Sequence, residues 1–245
     1  MPAAPTMTSQ DRPLLEASNL TSGYGKVRIV QSVDIAVRPG EILAVIGRNG
    51  VGKTTLMETF IGAIPPMDGR LSFKGQDITR LSPSKRARLG IGYVPQGRGM
   101  FARLSVADNL RMGERIGDRM QTSNYDRVFE FFPRLKERLP QKSGLLSGGE
   151  QQQLAIGRVL VGHPDLILLD EPSEGIQPNI VQAIGKTISR LRDEEGLTVV
   201  LVEQNLDLIH LVADRCVVID KGTVVAELSA EEIRDPEVAR RYLAI

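Results

Sequence analysis

A glycine-rich stretch at positions 47–54 carries the residue types of a phosphate-binding loop. It reads Gly-Arg-Asn-Gly-Val-Gly-Lys-Thr, lies between an apolar run and a helical segment, and fits the pattern G-x-x-x-x-G-K-[ST]. Glycines let the backbone curl with its N–H groups aimed at phosphate oxygens, and a following helix N-terminus adds partial positive charge. Lys53 can reach the β- and γ-phosphates, and the Thr54 hydroxyl can ligate Mg²⁺. The pattern predicts a nucleoside triphosphate site. Its expected binding residues are Gly47, Arg48, Asn49, Gly50, Val51, Gly52, Lys53, Thr54 and Thr55.

Two carboxylates, Asp170 and Glu171, directly follow the apolar run at positions 166–169. At the end of a strand beside a phosphate loop, Asp170 is expected to hold Mg²⁺, directly or through water. Glu171 is expected to polarise the water that attacks the γ-phosphate. A solvated strand end is the alternative, and the phosphate loop upstream argues against it.

A third motif, Leu-Ser-Gly-Gly-Glu at positions 146–150, begins a helical segment. Ser147 is a good N-cap, and Gly148 and Gly149 let the amides of the helix N-terminus approach a phosphate closely. Because the chain already has a loop for its own nucleotide, a second helix-end anion site indicates a nucleotide that another chain holds. A simple N-cap is the alternative.

In their order along the chain, these motifs resemble the ATP-binding subunits of ABC transporters, and the resemblance covers the chain from Leu14 onward. It implies that Tyr24 stacks on adenine and that Gln96 senses both Mg²⁺ and the attacking water. It also implies that the motif at 147–150 completes the ATP site of a partner chain. The residues of this motif are Ser147, Gly148, Gly149 and Glu150.

The motifs at 94–98 and 201–205 are further similar to an ATP-binding subunit of branched-chain amino acid importers, and the motif at 170–178 to urea and amide relatives. Most family members have a histidine where Gln204 stands and an aspartate near Gln177, whereas the branched-chain subfamily commonly has the glutamine. Gln204 is therefore expected to contact the γ-phosphate without carrying charge. His163 and His210 do not have that spacing and are expected to be structural.

The resemblance implies that the cofactors are ATP and Mg²⁺. It also implies that the protein is located at the cytoplasmic face of the inner membrane. The implied partners are a second, non-identical ABC ATPase subunit or a second copy, transmembrane permease subunits and, indirectly, an external solute-binding protein. Two alternatives stay open. One is a soluble ABC-type ATPase of DNA repair or translation, and the other is a degenerate regulatory nucleotide binder.

The composition argues against the nucleic-acid alternative, against membrane-spanning segments and against a disulfide. A net charge of +1 over 245 residues provides no basic field for a nucleic-acid partner. The chain has no apolar stretch of the roughly 18 residues that would span a bilayer, so a membrane role is expected to be peripheral. The single cysteine, Cys216, excludes an internal disulfide and lies in an apolar run, which favours a buried small hydrophobe.

The elements that must hold these motifs alternate between apolar strand runs and helical segments. This pattern predicts an α/β fold of the P-loop NTPase class, with a mostly parallel central sheet, an N-terminal antiparallel β part and a small helical insert. We expect a loose tail at 1–13, one ABC ATPase domain at 14–245 and a helical subdomain at about 97–146. Apolar side chains at helical spacing, Val128, Phe129, Phe132 and Leu135, are expected to form the core of that insert.

Overall fold

The computed structural model describes residues 12–116, 125–235, 237–238 and 242, so most of the expected tail at 1–13 lies outside the described residues. The described strands are β1 (Leu15–Tyr24), β2 (Val27–Val37), β3 (Ile42–Ile46), β4 (Asp68–Phe73), β5 (Gln76–Asp77), β6 (Ile91–Val94), β7 (Leu166–Asp170), β8 (Thr198–Val202), β9 (Arg215–Asp220) and β10 (Thr223–Ser229). The described helices are α1 (Lys53–Ile61), α2 (Pro83–Arg88), α3 (Val106–Arg111), α4 (Tyr125–Phe131), α5 (Pro133–Glu137), α6 (Gly148–Leu160), α7 (Pro178–Glu195), α8 (Leu206–Val212) and α9 (Ala230–Ile233). Short 3₁₀ turns cover Met112–Arg115 and Ser143–Leu145.

The strands form two sheets. The central sheet has the order β10-β9-β3-β8-β7-β6, and all of its pairs are parallel except the one between β10 and β9. The second sheet has the order β2-β1-β4-β5 and is antiparallel. Every residue of β3, β7 and β8 is buried, as expected for strands covered on both faces. The predicted fold class is confirmed.

The two faces of the central sheet pack into different cores. Leu43 and Val45 of β3 share a core with Leu56 and Phe60 of α1 and with the antiparallel sheet. The alternate residues of β7 and β8, such as Ile167, face helices α3 to α7. Helix α1 therefore lies between the two sheets, which fixes the position of the loop that precedes it.

The insert between β6 and α6 is helical in its described part, and its buried side chains join the core under the central sheet. Val128, Phe132 and Leu135 are buried and Phe129 packs against them, which confirms the predicted stripe. Two short helices carry the stripe because Pro133 follows Phe132 and disfavours helical backbone at the preceding residue. The exact boundaries of a helical subdomain stay a prediction.

Strand β1 continues through Tyr24, and a two-residue turn at Gly25 and Lys26 leads into Val27 of β2. Cys216 is fully buried in β9, as expected, and burial raises the pKa of its thiol to about 12. No helix in the described part of the chain combines the length and the apolar character needed to cross a bilayer.

Arg86 of α2 is a fully buried arginine that anchors the end of α1. Its Nη1 donates to the carbonyl oxygens of Thr59 (2.6 Å) and Phe60 (2.8 Å) in the last turn of α1. Its Nε and Nη2 donate to the carbonyl oxygens of Leu81 and Thr79, both at 3.1 Å. The guanidinium thus donates to the backbone carbonyls of the last turn of α1 and of the segment before α2, and so joins the two.

Arg86→Met keeps the apolar stem but removes four hydrogen bonds to backbone carbonyls, of which that of Thr59 keeps a second donor in the Gly62 amide at 3.1 Å. We expect it to lower the free energy of unfolding by roughly 3 kcal/mol or more. Urea unfolding measures the change, and Arg88→Met, an exposed arginine of the same helix, is the control. Equal unfolding midpoints for the two variants would show that Arg86 does not anchor α1.

Candidate nucleotide-binding site

The functional loops meet at one edge of the central sheet. Because β3, β6, β7 and β8 run parallel, their C-terminal ends lie on the same side. The phosphate loop follows β3, Gln96 follows β6, Asp170 ends β7 with Glu171 directly after it, and Gln204 follows β8. The sheet therefore brings together side chains that are far apart in sequence.

The phosphate loop has a backbone that requires glycine at two points. Gly47 has φ +149°, and a Cβ there would collide with the carbonyl oxygen of Ile219. Gly52 has φ +109° and would place a Cβ 3.3 Å from the carbonyl oxygen of Ile29. Gly52 is also the N-cap of α1, and no side chain in the described part of the chain caps this helix. The first amides of α1 are thus left without a side-chain acceptor, which suits an anion.

Lys53 is buried and held against the loop itself. Its Nζ donates to the carbonyl oxygens of Gly47 and Arg48, both at 2.8 Å. Burial lowers the pKa of Lys53, and the charges of Glu171, Asp170 and Glu203 oppose this shift. The ammonium group is therefore fixed at the base of the loop among carboxylates.

Asp170 fits a metal ligand. It is buried, its Oδ2 accepts a hydrogen bond from the Tyr93 hydroxyl (3.4 Å), and its Oδ1 is buried without a hydrogen-bond partner among the described residues. Burial raises its pKa to about 6, helped by the charge of Glu171, while the hydroxyls of Thr54 and Tyr93 and the charge of Lys53 act in the opposite direction. An unpaired carboxylate oxygen beside a threonine hydroxyl is the donor set that Mg²⁺ prefers.

Glu171 is the centre of a hydrogen-bond network across the cleft. Its Oε2 accepts from Gln96 Nε2 (3.3 Å) and its Oε1 accepts from Gln204 Nε2 (2.7 Å). The same Gln204 Nε2 also donates to Asn49 Oδ1 in the phosphate loop, at 2.6 Å. Gln204 therefore uses both of its amide protons to join the loop after β3 to the carboxylate after β7.

Tyr24 closes the outer side of the site. Its ring is exposed, and its hydroxyl donates to Glu58 Oε2 of α1 at 2.8 Å, a bond that raises the pKa of the phenol. The cleft between Tyr24 and the phosphate loop has a volume of about 320 Å³. Predicted site residues that line it are Tyr24, Asn49, Gly50, Gly52, Lys53, Thr54, Thr55, Gln96 and Glu171.

The remaining predicted residues of the loop support this cleft from behind. Gly47 and Arg48 bind Lys53 through their carbonyl oxygens, and Val51 accepts a hydrogen bond from the Gly222 amide at 2.9 Å. The structure therefore brings the predicted residues of positions 24, 47–55, 96, 170–171 and 204 together. Their chemical roles stay predictions.

The motif at positions 147–150 does not line the cleft. Ser147 caps α6 in a capping box, in which its Oγ accepts from the Glu150 amide (3.4 Å) and its own amide donates to Glu150 Oε2 (2.9 Å). Glu150 also forms an ion pair with Arg138, and its pKa is lowered by Ser147 and Arg138 even though partial burial acts to raise it. Gly148 and Gly149 begin the helix. This helix end is thus built separately from the chain's own cleft.

Sequence reasoning missed two residues of the site. Glu203 is buried after β8, and its carboxylate accepts from the amides of Ser173 (3.2 Å), Gln204 (2.8 Å) and Asn205 (3.0 Å). Tyr93 of β6 contacts Asp170, and burial raises the pKa of its phenol. A carboxylate directly after an apolar strand was the available signal for Glu203, since Asp170 has the same placement.

Two other features are not part of the site. A larger cleft of about 570 Å³ has Arg127, Asp165 and Glu195 in its lining and contains none of the predicted site residues. His163 contacts Arg127, and the Nε2 of His210 is 3.0 Å from the carbonyl oxygen of Ile233. Both histidines lie outside the nucleotide cleft, which agrees with the expected structural role.

The fold and the phosphate loop together define a P-loop nucleotide-binding protein. The family model described as ABC transporter matches residues 30–174, and the chain belongs to this family. As an ATP-binding cassette of this family, it is an ATPase subunit.

Individual relatives agree with this assignment. The chain is 42% identical to the high-affinity branched-chain amino acid transport ATP-binding protein BraG of Pseudomonas aeruginosa, over 94% of this chain and 99% of BraG. It is 38% identical to the lipopolysaccharide export system ATP-binding protein LptB of Escherichia coli, over 94% of this chain and 96% of LptB.

Solved structures show the same cassette. A nucleotide-free ATP-binding cassette from an ABC transporter matches with a TM-score of 0.82 and 28% identity, covering 95% of this chain and 99% of that one. The ADP conformation of such a cassette matches with a TM-score of 0.80 and 28% identity, over 93% and 97% of the two chains. ATP as the nucleotide therefore follows from the family.

The raised pKa of Asp170 predicts a pH-dependent stability. The pKa of Asp170 in the folded state, about 6, exceeds its ordinary value of 3.8. Protonated Asp170 therefore contributes to the free energy of unfolding in full below about pH 4, and this contribution is lost as the pH rises through 6. At pH 7.5 the ionised carboxylate should cost at most about 3 kcal/mol. Asp170→Asn should therefore raise the thermal midpoint at pH 7.5, in EDTA and without nucleotide, and the gain should shrink toward pH 4.

Thermal unfolding across this pH range measures the effect. Asp207→Asn, at an exposed position of α8, is the control and should change the midpoint little at any pH. A lower midpoint for Asp170→Asn at pH 7.5 would contradict the expected sign.

Proposed function

We propose that this chain is the ATP-hydrolysing subunit of an importer for branched-chain amino acids, urea or short amides. The observation that carries the proposal is its 42% identity to BraG over 99% of that protein, whose name describes branched-chain amino acid transport. The neutral Gln204 at the catalytic carboxylate supports the same subfamily.

In the proposed reaction the loop amides and Lys53 bind the phosphates, and Tyr24 stacks on the adenine. Glu171 acts as the base that polarises the attacking water, and Gln96 and Gln204 orient its carboxylate through the hydrogen bonds described above. Thr54 and Asp170, with Gln96, are the residues that would hold Mg²⁺. When bound, Mg²⁺ supplies positive charge that offsets the charge on the phosphate oxygens.

The separate location of the motif at 147–150 supports a composite site. Its helix N-terminus lies outside the chain's own cleft, so its amides are available to the nucleotide of another chain. ATP would then bind between two head-to-tail ATPase chains, either this chain with a similar subunit or two copies of it. The differential affinity of the closed and open pairs for ATP would supply the work on transmembrane permease subunits. An external solute-binding protein would deliver the solute, and the ATPase pair would lie at the cytoplasmic face of the membrane.

Gln204 predicts unequal sites if the partner subunit has a histidine at this position. To donate to the γ-phosphate, Gln204 would have to give up its hydrogen bond to Asn49 or to Glu171, and a glutamine cannot carry positive charge. Charge stabilisation of the transferring phosphoryl group contributes strongly to this type of catalysis. The site built on Lys53 and Glu171 would then be the slower of the two.

A second candidate function is lipopolysaccharide export, which the 38% identity to LptB favours. BraG and LptB each match 94% of this chain, so the ATPase subunit alone does not separate import from export, and the distinction lies in the membrane partners. Transport by the assembled complex separates the two candidates.

The test uses the full chain purified with its membrane subunits and reconstituted in proteoliposomes. We expect ATP-dependent uptake of labelled leucine, urea or acetamide in the presence of a solute-binding protein, and no uptake with Lys53→Ala. ATP-dependent extraction of lipopolysaccharide without uptake of any of these solutes would favour the exporter and reject the importer.

The composite site makes a further prediction for the isolated chain. Glu171→Gln should bind ATP without hydrolysing it and should form a stable dimer in ATP, because the nucleotide joins Lys53 of one copy to the motif at 147–150 of the other. Adding Gly148→Asp places a negative charge at the second helix end and should abolish the dimer while ATP binding to the monomer persists. Sedimentation with and without ATP measures both species. A Glu171→Gln chain that stays monomeric in saturating ATP would exclude a second copy as the partner.

A further inference from the structure

The loop after Gln96 has an unusual backbone. Gly97, Arg98 and Gly99 all have left-handed φ values, of 72°, 71° and 56°. Glycine adopts this region freely, but Arg98 does so at a cost, because its Cβ approaches the backbone. Backbone strain of this kind persists where surrounding contacts fix it, and it is concentrated at functional positions.

The side chain of Arg98 connects this loop to two other segments. Its Nη1 donates to Gln151 Oε1 of α6 at 3.0 Å, and its Nη2 donates to the carbonyl oxygen of Glu174 at 3.3 Å. Glu174 lies in the loop that begins with Glu171. One guanidinium thus joins the loop after Gln96, the start of α6 and the loop after the proposed catalytic base.

The contact with Gln151 extends to the turn before Ser147. Gln151 Nε2 donates to the carbonyl oxygen of Leu146 at 3.2 Å, directly before that serine. The N-terminus of α6 is also close to the guanidinium, since a Cβ on Gly148 would lie 3.2 Å from Arg98 Nη2. Arg98 therefore defines where the helix end sits relative to the other two loops.

Helix α6 holds the same loop in return. Arg158 Nη1 donates to the carbonyl oxygen of Gly99 (2.8 Å), and its Nη2 donates to that of Arg98 (3.2 Å). We call this arrangement the arginine clasp, formed by Arg98 with Gln151 and Glu174 and by Arg158 with the loop backbone. The loop after Gln96 is thus fastened to α6 through its main chain and through one of its side chains.

The acceptors of Arg98 are neutral. They are an amide oxygen and a carbonyl oxygen, and no ion pair joins Arg98 to a carboxylate in the part of the chain that the structure describes. Neutral acceptors leave the charge unbalanced but fix the direction of the planar fork. The contacts of Arg98 therefore serve geometry rather than charge neutralisation.

We propose that Arg98 is a positioning residue for ATP hydrolysis, which holds Gln96, the loop after Glu171 and the helix end at Ser147 in one fixed relation. The inference rests on the proposed function, in which Gln96 and Glu171 act on this chain's nucleotide while Ser147 and Gly148 bind the partner's. Because Arg98 joins residues of two different ATP sites, it links closure at one site to the geometry of the other.

Arg98→Met and Arg98→Lys test the proposal in the full chain. Both should lower kcat about tenfold or more and leave KM for ATP within about twofold, because the nucleotide cleft is intact while the catalytic groups are misplaced. The Hill coefficient for ATP should fall toward one. Lysine keeps the charge but cannot hold both acceptors, so it should not rescue. Arg103→Met, at an exposed arginine near the same loop, is the control and should have wild-type kinetics.

Gln151→Leu provides a second route that leaves Arg98 in place. It should reproduce the loss in kcat, and the double variant with Arg98→Met should be no worse than the more damaged single variant. This variant also decides the question if Arg98→Met does not fold. Wild-type kcat in a folded Arg98→Met or Gln151→Leu chain, full activity of Arg98→Lys, or a raised KM with unchanged kcat would each overturn the proposal.

The test of Arg98 and the test of the proposed composite site can fail independently of each other. If Glu171→Gln forms the ATP-dependent dimer and Arg98→Met hydrolyses ATP at the wild-type rate, the composite site stands and only the role of Arg98 fails. If the dimer does not form but Arg98→Met still loses kcat, the clasp acts within one chain, and a link between two sites in a pair of identical chains is rejected.

Discussion

Parallel pairing of β3 with β8, and of β8 with β7, is the constraint on which the site of this protein depends. The pairing puts the ends of these strands at one edge, so that the phosphate loop, Asp170 and Glu171 face one another. Register matters as much as direction, since Val45 pairs with Val202 and Asp170 pairs with the same Val202. A slip of one residue would turn the buried faces of these strands around and remove the carboxylates from the loop.

The site itself is locally unfavourable to the fold. It contains a buried ammonium group at Lys53, a carboxylate oxygen of Asp170 for which the described residues provide no hydrogen-bond donor, and Glu171 in a left-handed backbone conformation with φ +48°. Each of these features costs free energy in the nucleotide-free chain. The two apolar cores on either side of the central sheet offset these costs, and the same features favour a ligand that brings phosphate and a divalent cation. The chemistry and the instability thus have one origin.

Much of this arrangement could be predicted from the sequence because its signals are local. The phosphate loop, the carboxylates after β7 and the cap of α6 each lie within about ten residues, and the apolar strand runs are short and uninterrupted. The bond between Gln204 and Asn49 could not be predicted, because it joins residues 155 positions apart and depends on the register of the sheet. The hydrogen bond from Tyr93 to Asp170 and the contacts of Arg98 could not be predicted for the same reason. The exact position of the turn between β1 and β2 could not be predicted either, because Gly23 and Gly25 are equally good turn residues and only the pairing of Tyr24 with Val27 decides between them.

The burial of Cys216 has a practical consequence. It is the single cysteine of the sequence, its side chain is fully enclosed in β9, and the thiol stays protonated at any pH at which the protein would be handled. Since the thiolate is the reactive form, maleimides and other thiol reagents should spare the native chain. A cysteine introduced at an exposed position such as Leu145 would then be the single reactive thiol, without prior removal of the native one. The protein is in this respect already prepared for site-directed fluorescent or spin labelling, so that distances between two chains could be followed during the ATP cycle.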